Sequence, residues 1–209
     1  NLIAPLLSDV NIAGAYSRHL PRADCHPMEW RRIVQHEPCG KVTSSVSEAI
    51  DPGYLKEVPF AHFFSNVSSV LRRDIWERFP FPEVDYGEDQ LWARLVLRAG
   101  YKIAYQADSL VCHSHGYGVW NNLRRHFDHG RAAGWQGQIS ENSALYGILS
   151  AVSEARKDVE FWQKLTKRGR AEILRRWGWR ALAWHCSGKL GAYLGGRHPR
   201  LPFGVVRRF

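Results

Sequence analysis

The sequence predicts a mixed α/β domain followed by a run of amphipathic helices. Three observations carry this. Strand-like alternation appears twice in the front part, in "VNIAGAYSR" and in "YKIAYQ". Between them "GEDQLWARLVLRAG" has Trp92, Leu95, Val96 and Ala99 at i, i+3, i+4 and i+7, the period of a helix with one apolar face. After His115 the strand signals fade and only helical stripes remain.

In chain order, "NLIAPLLSD" reads as the end of a helix, and Val10, Ile12 and Gly14 begin a strand. Pro21, Pro27 and Pro38 punctuate the chain beyond that strand, so 22–54 reads as a long surface excursion with one short helix around Glu29 to Gln35. "AHFFSNVSSVLRR" is a strand candidate. In the next stretch Asp74 and Glu77 have capping-box spacing, which predicts a short helix ending before Pro80. Glu88 and Asp89 open the next helix and Gly100 is placed to cap its end. "YKIAYQ" and "DSLVCHSH" read as two strands, with His113 and His115 sharing a face of the second. Trp120, Leu123 and Phe127, then Leu145, Leu149 and Val152, then Leu174, Trp177, Ala181 and Trp184 form three helical stripes. Two domains are expected, 1–117 and 118–209.

With 209 residues, 44% of them hydrophobic, the chain can bury a core. Cys25, Cys39, Cys112 and Cys186 are far apart and form no C-x-x-C pair, which favours a reducing compartment over a disulfide framework or zinc ribbon. No apolar run approaches the roughly 20 residues that span a bilayer, and "NLIAPLLSDV" lacks the pattern of a signal peptide. The first residue is Asn1 and the only methionine is Met28, so the chain is read as a piece of a longer one. The formal charge of +9 is uneven: residues 161–209 hold 12 Lys and Arg against one acid, Glu172. That basic segment also carries Trp162, Trp177, Trp179 and Trp184, a composition suited to an anionic membrane surface. Basic charge with aromatics would also suit nucleic acid, but no helix-turn-helix, RNA-recognition or zinc-finger pattern is present, so nucleic acid is not expected as a partner.

Two carboxylates in a first helical turn have a plain explanation, since they meet the unpaired N–H groups and stabilise by ~0.3–1 kcal/mol. A carboxylate so placed is also held rigidly toward a cleft, as a general base must be. Trp92 on an apolar stripe is ordinarily core. Two histidines at a strand end are ordinarily packing or surface residues.

"GEDQLWARLVLRAGYKIAYQADSLVCHSH" resembles the C-terminal half of inverting family-2 glycosyltransferases of the GT-A fold, especially the bacterial rhamnosyltransferase-like members. The motifs that carry the resemblance are E-D-x-x-W (Glu88, Asp89, Trp92), G-Y-x-I-x-Y (Gly100, Tyr101, Ile103, Tyr105) and V-x-H-x-H (Val111, His113, His115). It runs from about Val10 to Tyr117 and more loosely to the end, through "GRHPRLP".

The resemblance implies the acceptor-binding half of a nucleotide-diphospho-sugar transferase, followed by the amphipathic helices. It implies one sugar, rhamnose or another hexose, moved with inversion from a nucleotide-sugar donor to a glycan or polyprenol-linked acceptor, in cell-envelope polysaccharide synthesis. Asp89 would be the base, with Glu88 raising its pKa. Trp92, Asn66, Arg72 and Arg73 would border the acceptor. A divalent cation, Mg2+ or Mn2+, would be held by His113, with His115 as a substitute, and completed by a D-x-D motif absent from these 209 residues. The protein would be cytoplasmic, peripheral on the inner face of the plasma membrane, and this piece inactive alone. The Q-x-x-R-W motif of processive members is missing, which favours single-sugar addition. The rival expectation is a non-catalytic remnant serving as an interaction domain.

Overall fold

The computed structural model describes residues 1–35, 43–48, 63–135 and 144–200. It is mixed α/β, with a four-stranded sheet and helices. The chain falls into two compact units: Asn1–Cys25 with the described part of Arg32–Ser114, and His26–Arg31 with the described residues from His115 onward.

The first unit opens with the short helix α1 (Ala4–Ser8) and strand β1 (Ile12–Leu20). β1 is central, flanked by β4 (Lys102–Cys112) in parallel and by β3 (Ser69–Leu71) antiparallel, while β2 (Ser45–Glu48) lies antiparallel on the far side of β4. With a strand on each side, β1 is buried without interruption from Ile12 to Ser17, and the apolar Ile12, Ala13 and Ala15 lead it. Along β4 the side chains alternate: Ile103, Tyr105 and Ala107 join the core with Trp92, Val96 and Phe64, and Ala104 faces a smaller cluster with Leu6, Ile12 and Ala15.

Helix α3 (Arg73–Arg78) lacks the expected capping box: its N-cap is Arg72, no side chain caps it, and Asp74 already lies inside the first turn. Helix α4 (Glu88–Arg98) is closed by a Schellman motif, Gly100 N–H to the Leu97 carbonyl (3.1 Å) and Tyr101 N–H to the Val96 carbonyl (3.0 Å). Gly100 holds φ +87°, so the expected cap is formed. The two expected strands after it are one, β4; a shift of register opposite Ser17 and Arg18 absorbs the break in pattern between Gln106 and Leu110.

The second unit is helical. Helix α2 (Pro27–Gln35) contributes its first residues to it, followed by α5 (Val119–Trp135), α6 (Ala144–Thr166), α7 (Arg170–Ile173), a π-helical turn (Leu174–Gly178) and α8 (Trp179–Gly195). Met28, Ala155, Ala181 and Trp184 form its core. α5 and α8 approach so closely that a Cβ at Gly191 would collide with the Leu123 carbonyl, and one at Gly195 with that of Phe127. Asn122 secures the same seam, its Nδ2 donating to the Trp184 carbonyl (2.8 Å) and the Ser187 hydroxyl (3.0 Å).

A buried ion network ties α2 to this unit: the Arg31 guanidinium binds Asp158 and Glu154 (2.6 Å), and Asp158 also meets His185 Nε2 (2.6 Å). Charges taken out of water need such partners, because one left alone would cost several kcal/mol. The stripe of Leu145, Leu149 and Val152 on α6 is exposed, so its period is helical but it does not form the core. Among the described residues no helix is long and apolar enough to cross a membrane.

Candidate active site

Asp89 sits in the first turn of α4, reached through Gly87, whose φ of +78° turns the chain into the helix. Its carboxylate is clamped by backbone donors: Asn66 N–H to Oδ2 (3.2 Å) and Gln90 N–H to Oδ1 (2.8 Å). Gln90 in turn donates its side-chain amide to the Phe64 carbonyl, fixing the segment 63–66 against the helix start. Burial pushes the Asp89 carboxyl above the usual carboxylate range; the two N–H groups pull the other way, and Glu88 adds a smaller upward push. The sequence pattern suggested Glu88 as the tuning group, but desolvation leads.

The segment that clamps Asp89 continues to the C-terminal ends of the parallel strands. Phe63 meets His19 of β1 at 6.5 Å between ring centroids, and His19 meets His113, just past β4, at 5.5 Å. In α/β sheets with parallel strands this is the edge where ligands bind. His113 is half-buried and held by its N–H on the Leu20 carbonyl (2.9 Å). His19 is 8% exposed, and its Nε2 is buried without a hydrogen-bond partner. Burial, then the charges of His113 and Arg32, lower its pKa to about 4, so it is neutral near pH 7. His19 was missed by sequence reasoning, because only the pairing of β1 with β4 brings it beside His113.

The other expected site residues divide. Asn66 is at the site through its backbone, with Oδ1 accepting from Ser69 Oγ (3.0 Å). Glu88 is half-buried next to Asp89. Trp92 is corrected: its ring is fully buried between Phe64 and Phe81 and its Nε1 donates to the Phe79 carbonyl (2.8 Å), so it offers no surface to a sugar. Arg72 is corrected too, since its guanidinium clamps the carbonyls of Leu6, Ile12 (3.3 Å) and Asp9 (3.4 Å). Arg73 is exposed and pairs with Glu77 one helical turn on (2.8 Å). His115 belongs with the second unit, where its ring stacks on Tyr117 (4.7 Å) and its N–H donates to Glu29 (3.1 Å).

For a divalent cation the fit is partial. His113 and the unpartnered nitrogen of His19 offer imidazole donors, but no group of three or more His, Cys, Asp or Glu that could hold a metal exists among the described residues.

The chain is similar to O-antigen rhamnosyltransferases. It is 33% identical over 130 residues to the O-antigen chain rhamnosyltransferase WbaN of Salmonella anatum, covering 61% of this chain and 40% of the relative. To the O-antigen chain rhamnosyltransferase RfbN of Salmonella typhimurium it is 33% identical over 125 residues, covering 59% and 38%. The match thus spans about two fifths of the length of these curated relatives. No family model matches, and no solved structure matches.

An aspartate with backbone-fixed oxygens and a raised pKa is suited to accept a proton from a hydroxyl, which a freely solvated carboxylate does poorly.

Proposed function

We propose that the chain is the acceptor side of an inverting family-2 glycosyltransferase of the GT-A fold, working in O-antigen-type polysaccharide synthesis. The observation that carries the reading is Asp89, a carboxylate desolvated and held by the N–H groups of Asn66 and Gln90, in a chain similar to two O-antigen rhamnosyltransferases. Asp89 takes the proton from one acceptor hydroxyl as that oxygen bonds to the anomeric carbon. The bond from that carbon to the nucleoside diphosphate breaks, the diphosphate leaves with the electron pair, and one displacement inverts the configuration. The donor is a nucleotide-sugar, rhamnose by likeness to the relatives, and the acceptor a glycan or polyprenol-linked saccharide at the inner face of the plasma membrane.

A divalent cation, Mg2+ or Mn2+, would neutralise the leaving diphosphate. His113 would provide one ligand, and the carboxylates would come from a D-x-D outside these 209 residues. Glu88 stands beside the base, and Asn66 shapes its oxygens through the backbone.

The test is Asp89→Asn in a polypeptide that includes the donor-binding half, assayed with nucleotide-sugar and acceptor. Turnover should fall about 10²–10⁴-fold with acceptor affinity retained, the range for loss of a general base. Near-normal turnover would remove Asp89 from the role.

A further inference from the structure

The four tryptophans of the basic segment do not share one role. Trp162 donates to the Pro27 carbonyl (3.2 Å) and meets the Trp30 ring; Trp177 packs on the Met28 cluster; Trp184 is 6% exposed and donates to the Tyr117 carbonyl (3.1 Å). Trp179 is 65% exposed. It follows the π-helical turn Leu174–Gly178, and Leu174 and Leu182 on either side of it are exposed as well. Single π turns inside helices are rare and recur at functional sites.

Arg175, Trp179 and Leu182 fall at i, i+4 and i+7, on the face away from buried Ile173, Ala181 and Trp184. Arg175, Arg176 and Arg180 are exposed between the apolar residues, and 173–182 contains no acid. The Arg180 guanidinium lies 5.4 Å from the ring centroids of both Trp177 and Trp179, and that of Arg176 lies 5.7 Å from Trp177. The result is an outward surface of indole and leucine framed by three cations.

We propose that this Leu174–Leu182 surface lies flat on an anionic lipid bilayer, with Trp179, Leu174 and Leu182 in the headgroup layer and Arg175, Arg176 and Arg180 on lipid phosphates. Indole rings favour that layer, arginine draws in the anionic surface, and a helix with this arrangement stays in the interface plane. Charge complementarity selects the occupant: +11 over residues 161–209 meets a negative leaflet. The two exposed leucines, which a nucleic-acid groove would not use, set the surface apart from a plain basic patch. The inference goes beyond the transfer reaction and holds whether or not Asp89 is a base.

The experiment is co-sedimentation of the full chain with vesicles of phosphatidylcholine alone or mixed with phosphatidylglycerol, with no sugar nucleotide present. A failure here therefore leaves the transferase reading untouched. The chain should bind the mixed vesicles, bind phosphatidylcholine weakly, and be released by salt. The triple variant R175Q, R176Q, R180Q should lose on the order of a hundredfold in partitioning. Trp179→Ala, which alters one exposed side chain, should weaken binding several-fold and keeps the test decisive if the triple variant folds poorly. Equal sedimentation of parent and Trp179→Ala, or equal binding to both vesicle types, would overturn the proposal. So would tight duplex-DNA binding that these variants abolish while vesicle binding persists.

Discussion

Asp89 carries an electrostatic cost that can be measured apart from any reaction. Its pKa is raised in the folded protein, so the ionised form is disfavoured there relative to the unfolded chain. That cost is present above the folded pKa and is relieved as pH falls and the carboxyl takes up a proton. Asp89→Asn should therefore raise the thermal midpoint at neutral pH, and the advantage should vanish in acid; a variant less stable than the parent at neutral pH would show that the two N–H bonds outweigh burial. Gly87 offers a second test. A Cβ there would touch nothing, so Gly87→Ala isolates the left-handed backbone strain, about 1 kcal/mol by thermal or urea unfolding. At this scale the sequence marked Glu88 and Asp89 by their place in a first turn, and Gly100 by its place after a last one. It could not tell which way Trp92 faced or that Arg72 would turn inward, because both answers depend on carbonyls and rings distant in the chain, such as those of Leu6, Phe79 and Phe81.

Among the elements, the α5 and α8 pair depends on missing side chains. Gly191→Ala pushes a methyl group into the Leu123 carbonyl, so the helices must part; the expected loss is about 1–3 kcal/mol in urea unfolding followed by helical circular dichroism. An unchanged midpoint would mean that the seam gives way freely. Glu154 supplies a pH signature for the same unit. Burial alone would raise its pKa, but hydrogen bonds from Lys157 and Arg31 prevail and bring it to about 2, from an ordinary 4.5. The stability this contributes is complete above pH 4.5 and lost as pH falls toward 2, and Glu154→Gln should flatten that part of a stability profile. Amphipathic period made α4, α5 and α8 legible in the sequence. β2 was not, since "SVSE" has little strand character of its own and is a strand through pairing with β4. The break expected within β4 vanished for a like reason, as β1 supplies partners up to Gln106 and again from Leu110.

For the molecule as a whole, the mixed α/β class and the helical character after His115 could be read in advance, because each rests on local periodicity. The assignment of His26–Arg31 to the helical unit could not, since Arg31 declares its role only when Glu154 and Asp158 arrive from more than a hundred residues away. The same dependence on distant partners would govern the proposed divalent cation. His113 and His19 lie side by side, but both are nitrogen donors, and Mg2+ and Mn2+ prefer carboxylate oxygens. Calorimetric titration of the 209-residue chain with Mn2+ should accordingly show no saturable binding in the micromolar range, with or without a nucleoside diphosphate. A longer polypeptide that brings a D-x-D should bind both together, and His113→Ala should weaken that binding while leaving the fold intact. Tight Mn2+ binding by the 209 residues alone, abolished by His113→Ala, would mean that the ligand set closes within this chain, and the need for carboxylates from outside it would fall away.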